Sequence, residues 1–445
     1  MRFIVLAISC APGDVLMKNL LAYFSLGRTP DSRLNLSVAI GSTVVRQIIS
    51  STLYLLAMWI TTRQLGPHNN GILATALLLP QTLFAFLNLG LGSGHVYQLS
   101  SGAGDYRRMR HANWTLAAVL WLAVLAALVL CTENSIATYL PRIDKDMALF
   151  ASALFPMMLL ATWSSSLIQG NRDYRLYNRI MLVQPAVFCL AIIVLYASNS
   201  VTVFSILCSY LLSQLSLWLL SETKINNFSS RSASGTGLVA SLRFGLKAHA
   251  SNIITFLNYR LALYLVSYML GSEATGKYVL SIQLAEVLWL ISSAASMVVF
   301  PESAAHSKSP AELRKMITKI AGSVFQITFA GAVLAAAAAP FAIPWVFGRE
   351  YEGAVLPFII LLPGIVMWSY MSVISNSLAG MGHQKVNIVS ALLCLSASVT
   401  GSFWAIPKFG VHGAALASTV AFSITTVFTM MMYMRITSKK SGTTA

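Results

Sequence analysis

Polar residues are sparse and clustered along this chain. Between the clusters run apolar stretches at 36–61, 71–92, 112–131, 148–169, 179–197, 201–221, 246–269, 277–299, 316–340, 354–379, 386–406 and 411–434. Each is close to or beyond the roughly 20 residues a helix needs to cross the hydrocarbon core of a bilayer. None shows the alternating ten-residue pattern of a membrane barrel strand. The pattern predicts an all-α polytopic membrane protein with about 12 transmembrane helices.

Composition strengthens that picture. Of 445 residues, 56% are hydrophobic and 10% charged, and the mean hydropathy is +0.70. A water-soluble core could not bury so much apolar surface. A formal net charge of +16 would suggest nucleic acid in a soluble protein, so the placement of the charges matters. With both termini in the cytoplasm, the inner segments hold 22 Lys and Arg and the outer ones 6 (Arg63, Arg142, Lys145, Lys277, Arg349 and Lys408). Lys and Arg in short loops stay cytoplasmic. The alternation therefore supports this orientation and accounts for the basic charge without nucleic acid. The 5 cysteines lie mostly in apolar runs and form no CxxC or Cys/His spacing, so neither a disulfide framework nor a metal site is expected.

The longest polar interruption, 221–242, reads as a flexible linker between halves of six helices. The expected organisation is a cytoplasmic N-terminal segment at 1–35, an N-lobe at 36–221, a cytoplasmic linker at 222–245, a C-lobe at 246–436 and a cytoplasmic tail at 437–445. Within the first segment, residues 3–11 are apolar over only half a span, and Met17 is an equally acceptable start. The halves echo each other. Leu65 and Gly66 are followed, after four intervening residues, by Gly71, as Leu270 and Gly271 are by Gly276, and Leu79 and Leu83 match Leu284 and Leu288 at the same offset. Two halves of equal orientation predict a parallel repeat about an axis along the membrane normal, with a cavity between the lobes.

Two arginines interrupt the apolar runs, Arg46 in the first and Arg260 in the seventh, and one carboxylate, Glu286, lies in the eighth. An intramembrane Arg costs about 2.5–3.5 kcal/mol on insertion scales, so it faces a wet cavity or a partner. Arg46 either lines the cavity or pairs with Glu286. Arg260 does the same or is satisfied by its neighbour Asn258. The seventh run also carries Lys247, His249 and Asn252 toward its cytoplasmic end. Lys247 and Asn252, with Arg46, Arg260 and Asn258, are the candidate substrate-binding residues of the cavity, with snorkelling to the interface the alternative for the Lys and His. Glu286 is either a counter-ion or a titrating carboxylate coupled to H+ or Na+. The positive balance suits an anionic head group such as pyrophosphate, since guanidinium groups fork onto phosphate oxygens. Pro80, Pro156, Pro185, Pro357 and Pro363 read as kinks, and Trp163, Trp289, Trp345, Trp368 and Trp404 as interfacial or packing residues. No phosphate loop, zinc pattern or nucleophile elbow occurs, so no enzyme and no cofactor is expected.

The order of several motifs carries a resemblance. They are Leu65 to Gly71; Leu87, Asn88, Leu89, Gly90, Leu91, Gly92, Ser93 and Gly94; Arg243, Phe244, Gly245 and Leu246; Leu270 to Gly276 with Tyr278; Pro301; Phe347, Gly348, Arg349, Glu350 and Tyr351; and the run from Gly410 to Ala417. Across nearly the whole chain this resembles the Wzx-type polysaccharide and O-antigen flippases, in the MOP superfamily that also holds the MATE exporters and lipid II flippases. The resemblance implies transport of an undecaprenyl-pyrophosphate-linked oligosaccharide across the bacterial inner membrane for surface polysaccharide or exopolysaccharide. It further implies alternating access of two lobes, driven by an ion gradient, with membrane lipid, a polysaccharide polymerase and a chain-length regulator as partners. Arg46 matches the basic residue often found in the first helix of such flippases. Two alternatives share parts of the plan. A MATE-like cation exporter needs carboxylates in its cavity, and a polytopic polymerase or glycosyltransferase needs a long outer loop with paired acids. The largest outer loop here, 132–147, is short.

Overall fold

The computed structural model describes residues 34–100, 104–139, 143–171, 173–226, 237–305 and 310–439. Nearly all of the expected N-terminal segment, the middle of the linker and the last six residues lie outside the described residues. Those described form α1 (Leu34–Leu87), α2 (Leu91–Ser100), α3 (Tyr106–Leu130), α4 (Glu133–Tyr139), α5 (Lys145–Ser152), α6 (Leu154–Gly170), α7 (Tyr174–Met181) and α8 (Val183–Ala197). They continue with α9 (Val203–Ile225), α10 (Gly237–Leu270), α11 (Ser272–Glu286), α12 (Trp289–Ala305), α13 (Pro310–Phe347), a 3-10 turn (Arg349–Ala354), α14 (Val355–Gly380) and α15 (Gln384–Lys439).

Among the described residues, nine helical stretches are long and apolar enough to cross a membrane. Lipid is the solvent their outer faces need. Leu122, Val129 and Leu130 of α3, and Leu334, Phe341 and Trp345 of α13, are large apolar side chains left exposed, a pattern water would penalise. Two stretches, of 43 and 55 residues, exceed one span. Each carries a backbone break: Gly66 (φ 68, ψ 172) in α1 and Gly410 (φ 57, ψ −135) in α15. Positive φ is open to glycine at little cost, and Pro67, which has no N–H to lose, suits the first position of the helix that restarts.

The chain divides into two compact units. Unit 1 comprises Met1–Ile60, Leu87–Leu125 and Ser152–Lys247, and unit 2 comprises Thr61–Phe86, Ala126–Ala151 and Ala248–Ala445.

In unit 2 the two echoing glycine motifs meet. Gly271 (φ 86, ψ −177) precedes α11 in nearly the conformation of Gly66. A Cβ on Gly71 would lie 1.7 Å from the Ser272 carbonyl oxygen, and one on Gly276 would lie 1.9 Å from that of Pro67. The two helices therefore cross backbone to backbone. Thr75 and Ser267 join hydroxyls at 2.8 Å nearby. The turn after α13 closes over this crossing. Tyr351 donates to the Thr62 carbonyl at 3.0 Å, Arg63 to that of Val346 at 3.1 Å, and Ser281 to that of Ala354 at 2.8 Å. The core of this unit includes Val299, Ile317, Val373, Leu378 and Tyr433.

Unit 1 has its own glycine crossing, with Gly90 and Gly245 each barring a Cβ on the other by its carbonyl, at 2.3 and 2.4 Å. Beside it, buried His95 donates from Nε2 to Asn113 Oδ1 at 2.7 Å and faces the Ser241 hydroxyl at 3.4 Å. The linker is shorter than expected. Residues 222–225 complete α9, because Glu222 is buried, accepting from Ser164 Oγ at 2.6 Å and from the Trp114 indole at 3.4 Å and pairing with Arg110 at 3.7 Å. At its other end the linker loses residues 237–245 to α10. Leu99, Met109, Leu167, Ile180 and Leu217 fill the core of this unit.

Candidate functional site

In unit 1, α7 is anchored at its start by Asp173, whose carboxylate accepts from the Leu176 N–H at 3.0 Å. This amphipathic helix turns Asn178 fully inward. The Asn178 amide donates to Ser42 Oγ at 2.9 Å and Thr43 Oγ1 at 3.1 Å on α1. One turn beyond those hydroxyls stands Arg46, in electrostatic contact with Tyr177, the neighbour of Asn178. Its Nη2 donates to Gln47 Oε1 at 3.4 Å, while its Nε is enclosed and has no partner. No carboxylate among the described residues of its own unit lies within 4.0 Å. A half-buried guanidinium held this way keeps hydrogen-bond donors for an incoming anion.

Of the other expected site residues, Asn252, Asn258, Arg260 and Glu286 fall in unit 2 and Lys247 ends unit 1. Asn258 does not serve Arg260. It is buried and donates across to the Ala391 carbonyl at 3.0 Å, bracing α10 against α15. Arg260 and Glu286 feel each other electrostatically but form no ion pair within 4.0 Å, and both are half-buried. Asn252 is exposed, and the side chain of Lys247 lies outside what is described. His249 is not a snorkelling residue: it is buried and its Nε2 donates to the Phe86 carbonyl at 2.9 Å, near the end of α1. The sequence reading missed Tyr177 and Asn178. The Asp173 cap and the amphipathic helical spacing of 174–181 are the signals that could have found them.

These features define a class: a multi-pass membrane protein, all-helical among the described residues, whose fold is similar to those of solved transporters of the MOP superfamily. A MATE family multidrug resistance transporter of that superfamily, in an inward-facing conformation, is similar with a TM-score of 0.72 at 15% identity, over 91% of this chain and 100% of that one. Lipid II flippase MurJ, inward closed, is similar with a TM-score of 0.71 at 12% identity, over 89% and 90%. A MOP superfamily transporter from Pyrococcus furiosus, described as having a binding pocket of reverse polarity, gives 0.63 at 15% identity, over 91% and 96%. No curated protein matches the chain. The model of the family described as polysaccharide biosynthesis protein matches residues 60–356, and the chain belongs to that family.

Proposed function

We propose that the protein is a flippase that moves an undecaprenyl-pyrophosphate-linked oligosaccharide across the bacterial inner membrane for surface polysaccharide synthesis. The observation that carries this reading is Arg46, with its buried, unpartnered Nε and no carboxylate among the described residues of its unit within 4.0 Å to neutralise it. Such a group is costly in a membrane unless an anion meets it. A pyrophosphate supplies oxygens for the guanidinium fork. Family membership supports the pathway. The glycine breaks at Gly66 and Gly410 each divide a stretch too long for one span, which raises the nine stretches to eleven, and α11 followed by α12 supplies a twelfth crossing. The shared conformation of Gly66 and Gly271 supports a parallel repeat of two six-helix lobes that alternate access, with both termini cytoplasmic and an H+ or Na+ gradient as driving force.

The test is complementation of a strain lacking the gene. Arg46→Ala and Arg46→Lys are expected to insert at wild-type level and fail to restore surface polysaccharide. Full activity of both at equal protein level refutes the reading.

A further inference from the structure

A second cluster in unit 2 has a chemistry unlike that around Arg46. Between Glu286, which ends α11, and Trp289, which begins α12, the regular helix gives way to a tightened turn in which the Leu288 N–H donates to the Ala285 carbonyl and the Leu290 N–H to that of Val287, both at 3.2 Å. The break falls inside an apolar run with no Gly or Pro at the site to cause it. A mid-helix turn of such shorter-range bonds often marks a functional position. Aromatic rings gather there. Trp289 lies 5.0 Å from Tyr259 and 6.3 Å from Trp368 between ring centres, and Trp368 lies 4.9 Å from Phe422. Tyr259, Trp289, Trp368, Arg260 and Glu286 all keep part of their surface open. Arg260 and Glu286, which form no ion pair or hydrogen bond among the described residues, cannot have lipid on their open sides at tolerable cost. Two enclosed polar atoms beside them, the Trp289 indole N–H and the Gln283 amide oxygen, have no partner either.

We propose that this cluster is a glycan subsite, in which a sugar ring stacks on Trp289 and Trp368 while its hydroxyls donate to Glu286 and accept from Arg260. The proposal rests on the flippase reading and names the part of the substrate that unit 2 holds. A pyrophosphate does not suit the cluster, because the Glu286 carboxylate repels it. A cation does not suit it, because the Arg260 guanidinium repels that. Hydroxyls both donate and accept, which matches a site offering an acceptor in Glu286 and a donor in Arg260 around aromatic faces. The proposal also changes the reading of Trp289 and Trp368 from packing residues to a sugar platform.

The experiment is isothermal titration of the purified full-length protein in detergent with two probes. One is undecaprenyl pyrophosphate. The other is the oligosaccharide freed by mild acid from lipid-linked intermediates of cells that carry the gene. Glu286→Gln, which is nearly isosteric, and Trp368→Ala are expected to weaken oligosaccharide binding about ten-fold or more and to leave undecaprenyl pyrophosphate binding within about two-fold. Retained binding of the second probe shows that the variants are folded, and Glu286→Gln carries the test if Trp368→Ala does not fold. Wild-type oligosaccharide affinity in Glu286→Gln, or equal loss of both probes, overturns the subsite and leaves the flippase reading standing. Failure of the wild-type protein to bind either probe overturns both.

Discussion

Substituting Gly71 by Ala perturbs the crossing of α1 and α11 at its tightest point. The new Cβ would lie 1.7 Å from the Ser272 carbonyl oxygen, where real contacts stay beyond 3.0 Å, so the backbone at the start of α11 must retreat by at least about 1.3 Å. The obstacle is backbone, which no rotamer change can move aside. Overpacking of this kind costs about 1–3 kcal/mol. The retreat also strains the buried Thr75–Ser267 hydroxyl bond of 2.8 Å, worth about 1 kcal/mol. The expected loss is about 2–4 kcal/mol, read as a fall of several degrees in the thermal unfolding midpoint of the detergent-solubilised protein. Gly276→Ala meets the Pro67 carbonyl at 1.9 Å and should behave alike, and the double variant should lose less than the sum, because both act on one crossing. Gly322→Ala is the control: nothing lies within 4 Å of its added carbon, and in a helix interior the change should be neutral or stabilising by up to about 1 kcal/mol. A Gly71→Ala midpoint equal to that of Gly322→Ala would refute the reasoning.

Two further outcomes follow from unit 1. Glu222→Ala removes the acceptor of Ser164 and leaves Arg110 uncompensated, so unfolding should show a loss of about 2–4 kcal/mol, with Arg110→Ala less than additive in the double variant. Burial pushes the His95 imidazole down to about 4, partly opposed by its hydrogen bond to Asn113. His95 lies in α2, outside the nine candidate spans. Its folded value lies below the ordinary value of about 6.5, so the unfolded chain binds the extra proton between the two. Stability is then complete above about pH 6.5 and falls as the pH drops toward 4, by up to about 3 kcal/mol. The unfolding midpoint of His95→Gln should depend less on pH across that window, and an unchanged dependence would contradict the assignment.

The membrane character was legible in the sequence because lipid imposes a length: apolar runs of about 20 residues are hard to mistake. The boundaries between 61 and 71 and between 406 and 411 were legible through Gly66, Pro67 and Gly410, whose backbone preferences interrupt a helix whatever surrounds it. The helix break after Glu286 was not. It sits among Val287, Leu288 and Trp289 with no Gly or Pro, so periodicity gave one run over 277–299. Arg110 and Glu222 were read as a loop charge and a linker residue, because a buried pair 112 residues apart leaves no local trace. Asn258 looked like a cavity residue beside Arg260, and only the packing of α10 on α15 assigns it a bracing role. Arg46 was found from the sequence because charge inside an apolar run is rare. Its surroundings were not, since they come from α7.

The central claim is that this chain moves a pyrophosphate-linked oligosaccharide through a site that includes Arg46. The most direct measurement reconstitutes the purified protein in liposomes under an imposed H+ or Na+ gradient. A lectin or glycosidase added outside then reports arrival of a lipid-linked oligosaccharide loaded on the inner leaflet. The account predicts protein-dependent transfer that is lost in Arg46→Ala. Transfer no faster than in protein-free liposomes, under both gradients, or equal transfer by the wild-type protein and Arg46→Ala, would contradict it.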